Sequence, residues 1–491
     1  MRRKATIILT GLLFAMFSSI NAQTSNVAYF MNLPQSSYLN PALITSTRFY
    51  IGLPVLTGIG AGIDNNFLQL KDIVTPGLKA DSIFSFQNPN FSLKNLASKL
   101  NKNNTISAQV NIQLLGIGFP VGRNFSVMID VMDRFTSKVL FPKSLLDLYL
   151  TGGSDLIGQT IDISKMNVQG QFFRSYGAGF SGEIIQNLRI GARLNLLSGI
   201  GSLSFDDQSF TLKVNNDLSQ TVTANATMET SGSEELSKIG SPAGMSGFLH
   251  DYIGMPLTNP GFSIDFGAEY NFGKLVTVSF SVRDLGFIKW KSDLQAWNVN
   301  GAFTLPGITL QDVQNQSFSI DQMYNSLADS VKSNFKQVAS PQPFKTYLPT
   351  DITFGASFNP FKFISFGVLS VSKIYAGSTS ESLTMSANAH LGQVFSASVA
   401  YSMENNSYNN LGVGLSVTAG VAQFYFIVDK IPMQWDKVYI GKSGSTDYTG
   451  IPLPNNFNTV NFQLGLNIIF GKRVAPKRDI PMLQSGDQTN Q

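Results

Sequence analysis

Apolar and polar residues alternate along most of this chain with a period of two. The clearest stretch is 106–114, where Ile106, Ala108, Val110, Ile112 and Leu114 share one parity and Ser107, Gln109, Asn111 and Gln113 the other. A helix would scatter these side chains around its circumference, whereas a strand sorts them onto two faces. The same sorting recurs at 125–132, 188–196, 263–270, 383–391 and 460–470. Most runs have about 10 residues, the length with which a tilted strand crosses a bilayer.

The connections between these runs add a second pattern. If 50–63 runs outward from the periplasm, long connections fall near 64–104, 135–166, 199–261, 289–344 and 430–458. Short ones fall at 121–124, 186–187, 271–274 and 359–362. This reading puts every short connection on one side and every long one on the other, as in transmembrane barrels. The tally is about 14 strands if 201–229 is an outer hairpin and about 16 if it crosses, even in either case. The expected fold is therefore all-β: a closed antiparallel transmembrane β-barrel with long extracellular loops. A secreted β-sandwich or solenoid also alternates but explains neither the even tally nor the sidedness. No internal repeat at a fixed period points to a propeller.

The chain divides into four expected parts. Residues 1–22 read as a signal peptide: Arg2, Arg3 and Lys4, then an apolar stretch over 5–17, then small Ala22 before Gln23. That stretch is shorter than the roughly 20 apolar residues of a membrane-spanning helix. No cysteine follows, which argues against lipoprotein anchoring. Residues 23–47 lack alternation and precede the barrel of 48–470, and residues 471–491 form a polar periplasmic tail. The expected location is the outer membrane, after cleavage, with its lipid around the wall.

Asn40-Pro41 reads as a rigid turn, because proline fixes its own φ and pushes the preceding residue out of the α region. At Asn40, Pro41 and Ala42 the chain resembles the long-chain fatty-acid transporter (FadL-type) superfamily, whose barrels carry an Asn-Pro-Ala motif in an N-terminal plug. The longer string from Leu33-Pro34-Gln35 through Leu43, with Gly52-Leu53-Pro54 after it, resembles a narrower Bacteroidota group, domain-of-unknown-function family 5723. The resemblance implies a barrel with residues 23–47 as its N-terminal plug segment; in that superfamily some members move hydrophobic molecules inward and others serve type IX secretion. In the last strand, Gln463, Gly465, Ile468 and Phe470 resemble the C-terminal β-signal read by the barrel-assembly machinery, although about 20 residues follow it.

Composition narrows the chemistry. Charged residues are only 13 % of the chain, about half the usual share of roughly 25 %; Ser, Thr, Asn, Gln and Gly take their place. A net charge of +4 gives no case for a nucleic-acid partner. With no cysteine and only His250 and His390, disulfides and thiolate chemistry are excluded, and imidazole metal sites and His-based triads have little to build on. No nucleophile elbow, zinc-protease motif or P-loop occurs, so neither an enzyme nor a cofactor is expected. Gly177 to Gly182 fits G-x-G-x-x-G but lies within an alternating stretch, where the glycines serve strand curvature instead.

Five charges fall on the polar parity of their strands: Asp130, Arg189, Arg193, Asp265 and Glu269. Arg or Lys facing lipid at mid-membrane costs about 2–4 kcal/mol, so all five should face the lumen, lining a substrate path or pairing with neighbours. Arg174 shares parity with Phe172, Tyr176 and Phe180, which places it at an interface or marks a register break. Trp290 and Tyr270 are candidates for an interfacial girdle. Residues 320–335 have helical spacing and read as a helix over the rim. The functional expectation is a transport or channel barrel for small hydrophobic, lipid-like molecules. The alternative is a protein-interaction or shuttle barrel whose long outer loops near 64–104, 289–344 and 430–458 dock surface or type IX secretion machinery.

Overall fold

The computed structural model describes residues 26–43 (except 32), 47–67 (except 54 and 55), 98–144 (except 99 and 123), 156–232 (except 218), 258–305, 335–431 (except 393, 405 and 406), 435–440, 449–454 and 459–472. The proposed signal peptide, most of the C-terminal tail and the expected helix at 320–334 lie outside these residues; Phe335, at that helix's end, instead opens a short strand.

The wall begins with β1 (Thr47–Gly52) and β2 (Ile59–Asn65), two halves of one strand, and continues through β3 (Asn103–Val121) and β4 (Phe125–Pro142). A short strand beyond the wall, β5 (Thr160–Asp162), precedes β6 (Asn167–Ile185) and the long β7 (Leu188–Val214). β8 (Gln220–Ser231) lies beyond the wall, β9 (Asn259–Phe272) and β10 (Val276–Trp290) within it, and β11 (Leu294–Leu305) and β12 (Phe335–Gln337) beyond it again. β13 (Phe344–Tyr347) and β14 (Thr350–Phe358) form one crossing. After them come β15 (Ile364–Tyr375), β16 (Ser378–Leu391), β17 (Phe395–Glu404), β18 (Ser407–Ala419) and β19 (Ala422–Ile431). β20 (Trp435–Ile440) and β21 (Thr449–Pro454) pair only with each other, and β22 (Thr459–Lys472) completes the wall.

Every neighbouring pair in the wall is antiparallel, and β22 closes the ring by pairing with β19 on one side and with β1 and β2 on the other. The barrel has 14 strands. The choice between 14 and 16 turns on β7, whose 27 residues cross the wall and project beyond it. Its far half pairs with β8, β8 with β11, and β11 with β12. The segment 201–229 is thus an outer hairpin. It packs over its own apolar cluster, which includes Ile163, Phe210, Leu212, Val222 and Val299.

The sidedness of the connections needs one correction. Six tight connections share one end, but the opposite end has two of its own: Ala376-Gly377, and the two residues between Glu404 and Ser407. Ala376 and Gly377 both have positive φ, as a two-residue hairpin requires. An alanine in that position is a weak turn signal, so the sequence pattern concealed it.

Outward side chains along the wall are apolar and exposed, among them Ile129, Phe180, Leu194, Phe266, Phe354, Phe366, Val399 and Phe424. Their inward neighbours are Ser, Thr, Asn, Asp and Arg, almost all buried. An apolar surface encircling the molecule cannot stand in water and calls for hydrocarbon around it. The fold is a transmembrane β-barrel.

One bulge changes the reading of β10. Its pairing with β9 slips between Val282 and Leu285, where Asp284 has φ +57°. Arg283 and Asp284 are consequently both buried, and every later side chain changes face. Trp290 therefore points inward, fully buried, its indole N–H donating to Thr346 Oγ1 at 2.8 Å. It is not a girdle residue. Tyr270 does lie on the outer face, edge-on to exposed Phe272.

Candidate functional site

The lumen is occupied by the chain's own residues 26–43. Within them, α1 (Asn26–Tyr29) and a 3-10 turn at Pro34–Tyr38 are joined by a tight bend. Ser36 Oγ lies within hydrogen-bonding distance of both the Ala28 and the Met31 carbonyl oxygens, at 2.7 and 2.8 Å. Pro34 opens the 3-10 turn, where its missing N–H is no loss. Asn40 Oδ1 accepts the Ala42 N–H at 2.9 Å, an Asx turn that Pro41 stiffens. A segment this short has no core of its own; the barrel supplies one. Val27, Leu33, Asn40 and Ala42 are fully buried.

The wall grips this segment from nearly all round. Asn26 donates to Ser382 and Thr384 on β16, and the Val27 N–H to Asp429 on β19. The Tyr29 hydroxyl bonds Ser279 on β10. Gln35 bonds Asn467 on β22 at 2.7 Å, Ser281 donates to the Leu39 carbonyl at 3.0 Å, and Gln113 to the Tyr38 hydroxyl at 2.8 Å. Inward glycines make room for it. A Cβ on Gly191 would lie 2.6 Å from Ala42 N, one on Gly355 2.7 Å from the Tyr29 hydroxyl, and one on Gly412 2.7 Å from Val27. These inward-parity glycines were the sequence signal for an occupied lumen, and they escape notice when glycine is read only as a turn or curvature residue.

Around Tyr38 and Leu39 the lumen is ionic. Arg193 sits 3.4 Å from Asp130 and 4.0 Å from Asp265, with its guanidinium 4.6 Å over the Tyr38 ring. Arg134 holds both carboxylate oxygens of Asp284 at 2.5 and 2.7 Å. Arg283 donates to the Tyr38 carbonyl at 2.7 Å and pairs with Asp351, which Lys373 approaches to 3.9 Å. Buried charges persist only with such partners.

Of the five charges read from sequence, Asp130, Arg193 and Asp265 meet in this network. Arg189 and Glu269 face each other across β7 and β9, in register and half-buried, nearer the tight-turn end. Arg134, Arg283, Asp284 and Asp351 were missed. Arg134 lies two residues past the alternating run 125–132, and Asp284 reaches the lumen only through the bulge. The glycines Gly177 and Gly179 lie within β6, not in a phosphate loop; a Cβ on Gly177 would come 2.8 Å from Asp130 and Asn195. Arg174 remains on the outward parity and pairs across the strand with Asp133, its Nε 2.8 Å from Oδ1.

Away from the charges the seat is apolar. Val27, Tyr29, Phe30, Met31, Leu33 and Leu39 pack against Leu369, Ala400, Tyr425 and Ile427 of β15, β17 and β19. Towards the long-loop end, Phe173, Leu197, Ile288, Trp290 and Phe344 form a second interior apolar cluster. Beside Lys373 are cavities of about 30 and 20 Å³, room for a water or two. In β22, Gln463 and Gly465 face inward while Ile468 and Phe470 share the outward parity of exposed Leu464. Gly465 abuts the backbone of Thr57, where β1 and β2 are interrupted.

The family model that matches, over residues 41–429, is described as a family of unknown function, DUF5723. The chain belongs to that family. No curated protein matches its sequence. Among solved structures, the DUF5723 chain is similar to the toluene transporter TbuX of Ralstonia pickettii at 11 % identity, covering 91 % of this chain and 98 % of that one, with a TM-score of 0.40. The toluene transporter TodX of Pseudomonas putida is 8 % identical over 92 % and 99 % of the two chains, with a TM-score of 0.41. A FadL homologue of Pseudomonas aeruginosa is 9 % identical over 92 % and 99 %, at 0.36. At such scores the fold rests on the strand pairing itself.

Proposed function

We propose that this DUF5723 protein is an outer-membrane transport barrel for small hydrophobic, lipid-like molecules, held closed by residues 26–43. The observation that carries this reading is the two-sided seat of the inner segment. One side is ionic and hydrogen-bonded, around Tyr38 and Asn40, and would anchor the segment. The other is apolar, where Phe30 and Met31 belong to one buried cluster with Leu369 and Ile427. An apolar molecule displacing that contact would exchange one greasy neighbour for another at little cost, while the ionic side keeps the segment tethered. On the same reading, residues 1–22 direct export, the C-terminal strand addresses the barrel-assembly machinery, and 471–491 is a periplasmic tail.

The test is uptake. Protein reconstituted in liposomes should pass a fluorescent long-chain alcohol, and Phe30→Ala with Met31→Ala should speed it by weakening the apolar contact. A purified barrel that neither copurifies with lipid-like ligand nor admits the probe overturns the proposal; stoichiometric protein partners under those conditions would replace it with docking.

A further inference from the structure

At the long-loop end, Lys289 of β10 and Lys345 of β13 stand directly opposite each other in antiparallel register. Both are exposed, and both share the outward parity of Phe287 and Tyr347. Lys345 Nζ lies 4.9 Å from the centre of the Phe287 ring. Phe287 in turn sits edge-on to exposed Phe262 at 5.0 Å and to exposed Tyr347 at 6.4 Å. Lys345 thus stands on an aromatic row of the apolar belt, with Lys289 opposite it on the same face. That is the depth at which hydrocarbon gives way to lipid headgroups.

Like charges opposed across a strand pair repel, and neither lysine forms an ion pair among the described residues. An open recess of about 580 Å³ adjoins them, lined by Ser204, Glu229, Lys289, Pro343, Phe344 and Lys345. Glu229 belongs to β8, opposite Ser204, and has contacts of its own. Two lysines against one glutamate leave the recess with a positive charge and a hydroxyl donor, and its two lysines share the outward parity of the apolar belt.

We propose that this recess binds a phosphate group on the headgroup of an outer-leaflet glycolipid, with Lys289 and Lys345 clamping the anion from two adjacent strands. Its acyl chains would run down over Phe287, Phe262 and Tyr347. The inference rests on the barrel lying in a membrane, not on what it transports.

The test uses the full barrel in phosphatidylcholine nanodiscs doped with a bisphosphorylated acyl-disaccharide lipid or its dephosphorylated counterpart, with lipid retention read by native mass spectrometry. The wild type should retain the phosphorylated lipid selectively. Lys289→Gln with Lys345→Gln should weaken retention about 30-fold, from about fivefold per surface lysine, while Lys274→Gln with Lys362→Gln, at the opposite end, should not. Equal retention of the two lipids, or loss with both double variants, overturns the site. Competition by inorganic phosphate at equal concentration would assign it to the free anion and overturn the lipid. Failure of the protein to enter nanodiscs at all would instead refute the membrane reading.

Discussion

Gly191→Ala should unseat the inner segment, and the structure sets the scale. The added methyl would lie 2.6 Å from Ala42 N and closer still to the Pro41 carbonyl. Both obstacles are backbone in a bend already fixed by Pro41 and the Asn40 side chain, so neither can rotate away. Ordinary contact needs about 3.4 Å, so the bend must retreat by more than about 0.8 Å, against the bonds that Ser281 and Arg283 make to Leu39 and Tyr38. Overpacking of this kind costs about 1–3 kcal/mol, a factor of roughly 5 to 150 in the ratio of seated to displaced segment. Because the chain has no cysteine, a single Ser37→Cys substitution places a unique thiol at a position only 3 % exposed. Its maleimide labelling rate in detergent should rise by that factor in the Gly191→Ala background. Gly170→Ala is the control, since its Cβ would find nothing nearer than 3.7 Å. If both backgrounds label at the same rate, the contact between Pro41–Ala42 and Gly191 does not hold the segment in place.

Three further outcomes follow from the same geometry. Arg134→Gln strands Asp284 in the lumen and should destabilise the barrel by about 3–5 kcal/mol in urea titrations of vesicle-refolded protein; adding Asp284→Asn should recover most of it, and no recovery would refute the pairing. Phe354→Arg on the outward face should cost about 2–4 kcal/mol in the same titration if its site lies near mid-membrane, and an unchanged midpoint would mean that this face does not meet lipid. In the β7–β8 hairpin, Ser219 N–H and Oγ–H donate to Asp217 Oδ1 at 3.0 and 2.6 Å and hold that carboxyl below the ordinary aspartate range. The hairpin therefore gains stability above the ordinary aspartate pKa and loses it as pH falls through the lowered value. Carboxyl NMR should report the depressed titration and its return in Ser219→Ala; the same midpoint in both would sink the argument.

Much of the wall was legible because lipid outside and a polar interior impose the same two-residue alternation that a strand displays in sequence. The runs at 106–114 and 460–470 both lie inside observed strands for that reason. Bulges hid what alternation could not. The extra residue at Asp284 carries Trp290 from wall to lumen, and no local sequence signal marks it. The site was half legible: parity placed Asp130, Arg193 and Asp265 on inner faces, but Arg134 and Asp351, which pair with Asp284 and Arg283, lie beyond the runs that alternation marks. Gly191, Gly355 and Gly412 carry information only once something is known to stand opposite them.

The split first strand has a consequence for how the chain tolerates change. Between Gly52 and Ile59 the chain advances seven residues while its partner β22 advances three, from Asn467 to Leu464. The detour thus absorbs four residues, an even number, and Tyr50 and Asp64 on either side of it both remain interior. Losing two residues there would shorten the detour and leave both halves facing as they do now. Losing one would turn half the strand inside out, so the seam counts in pairs.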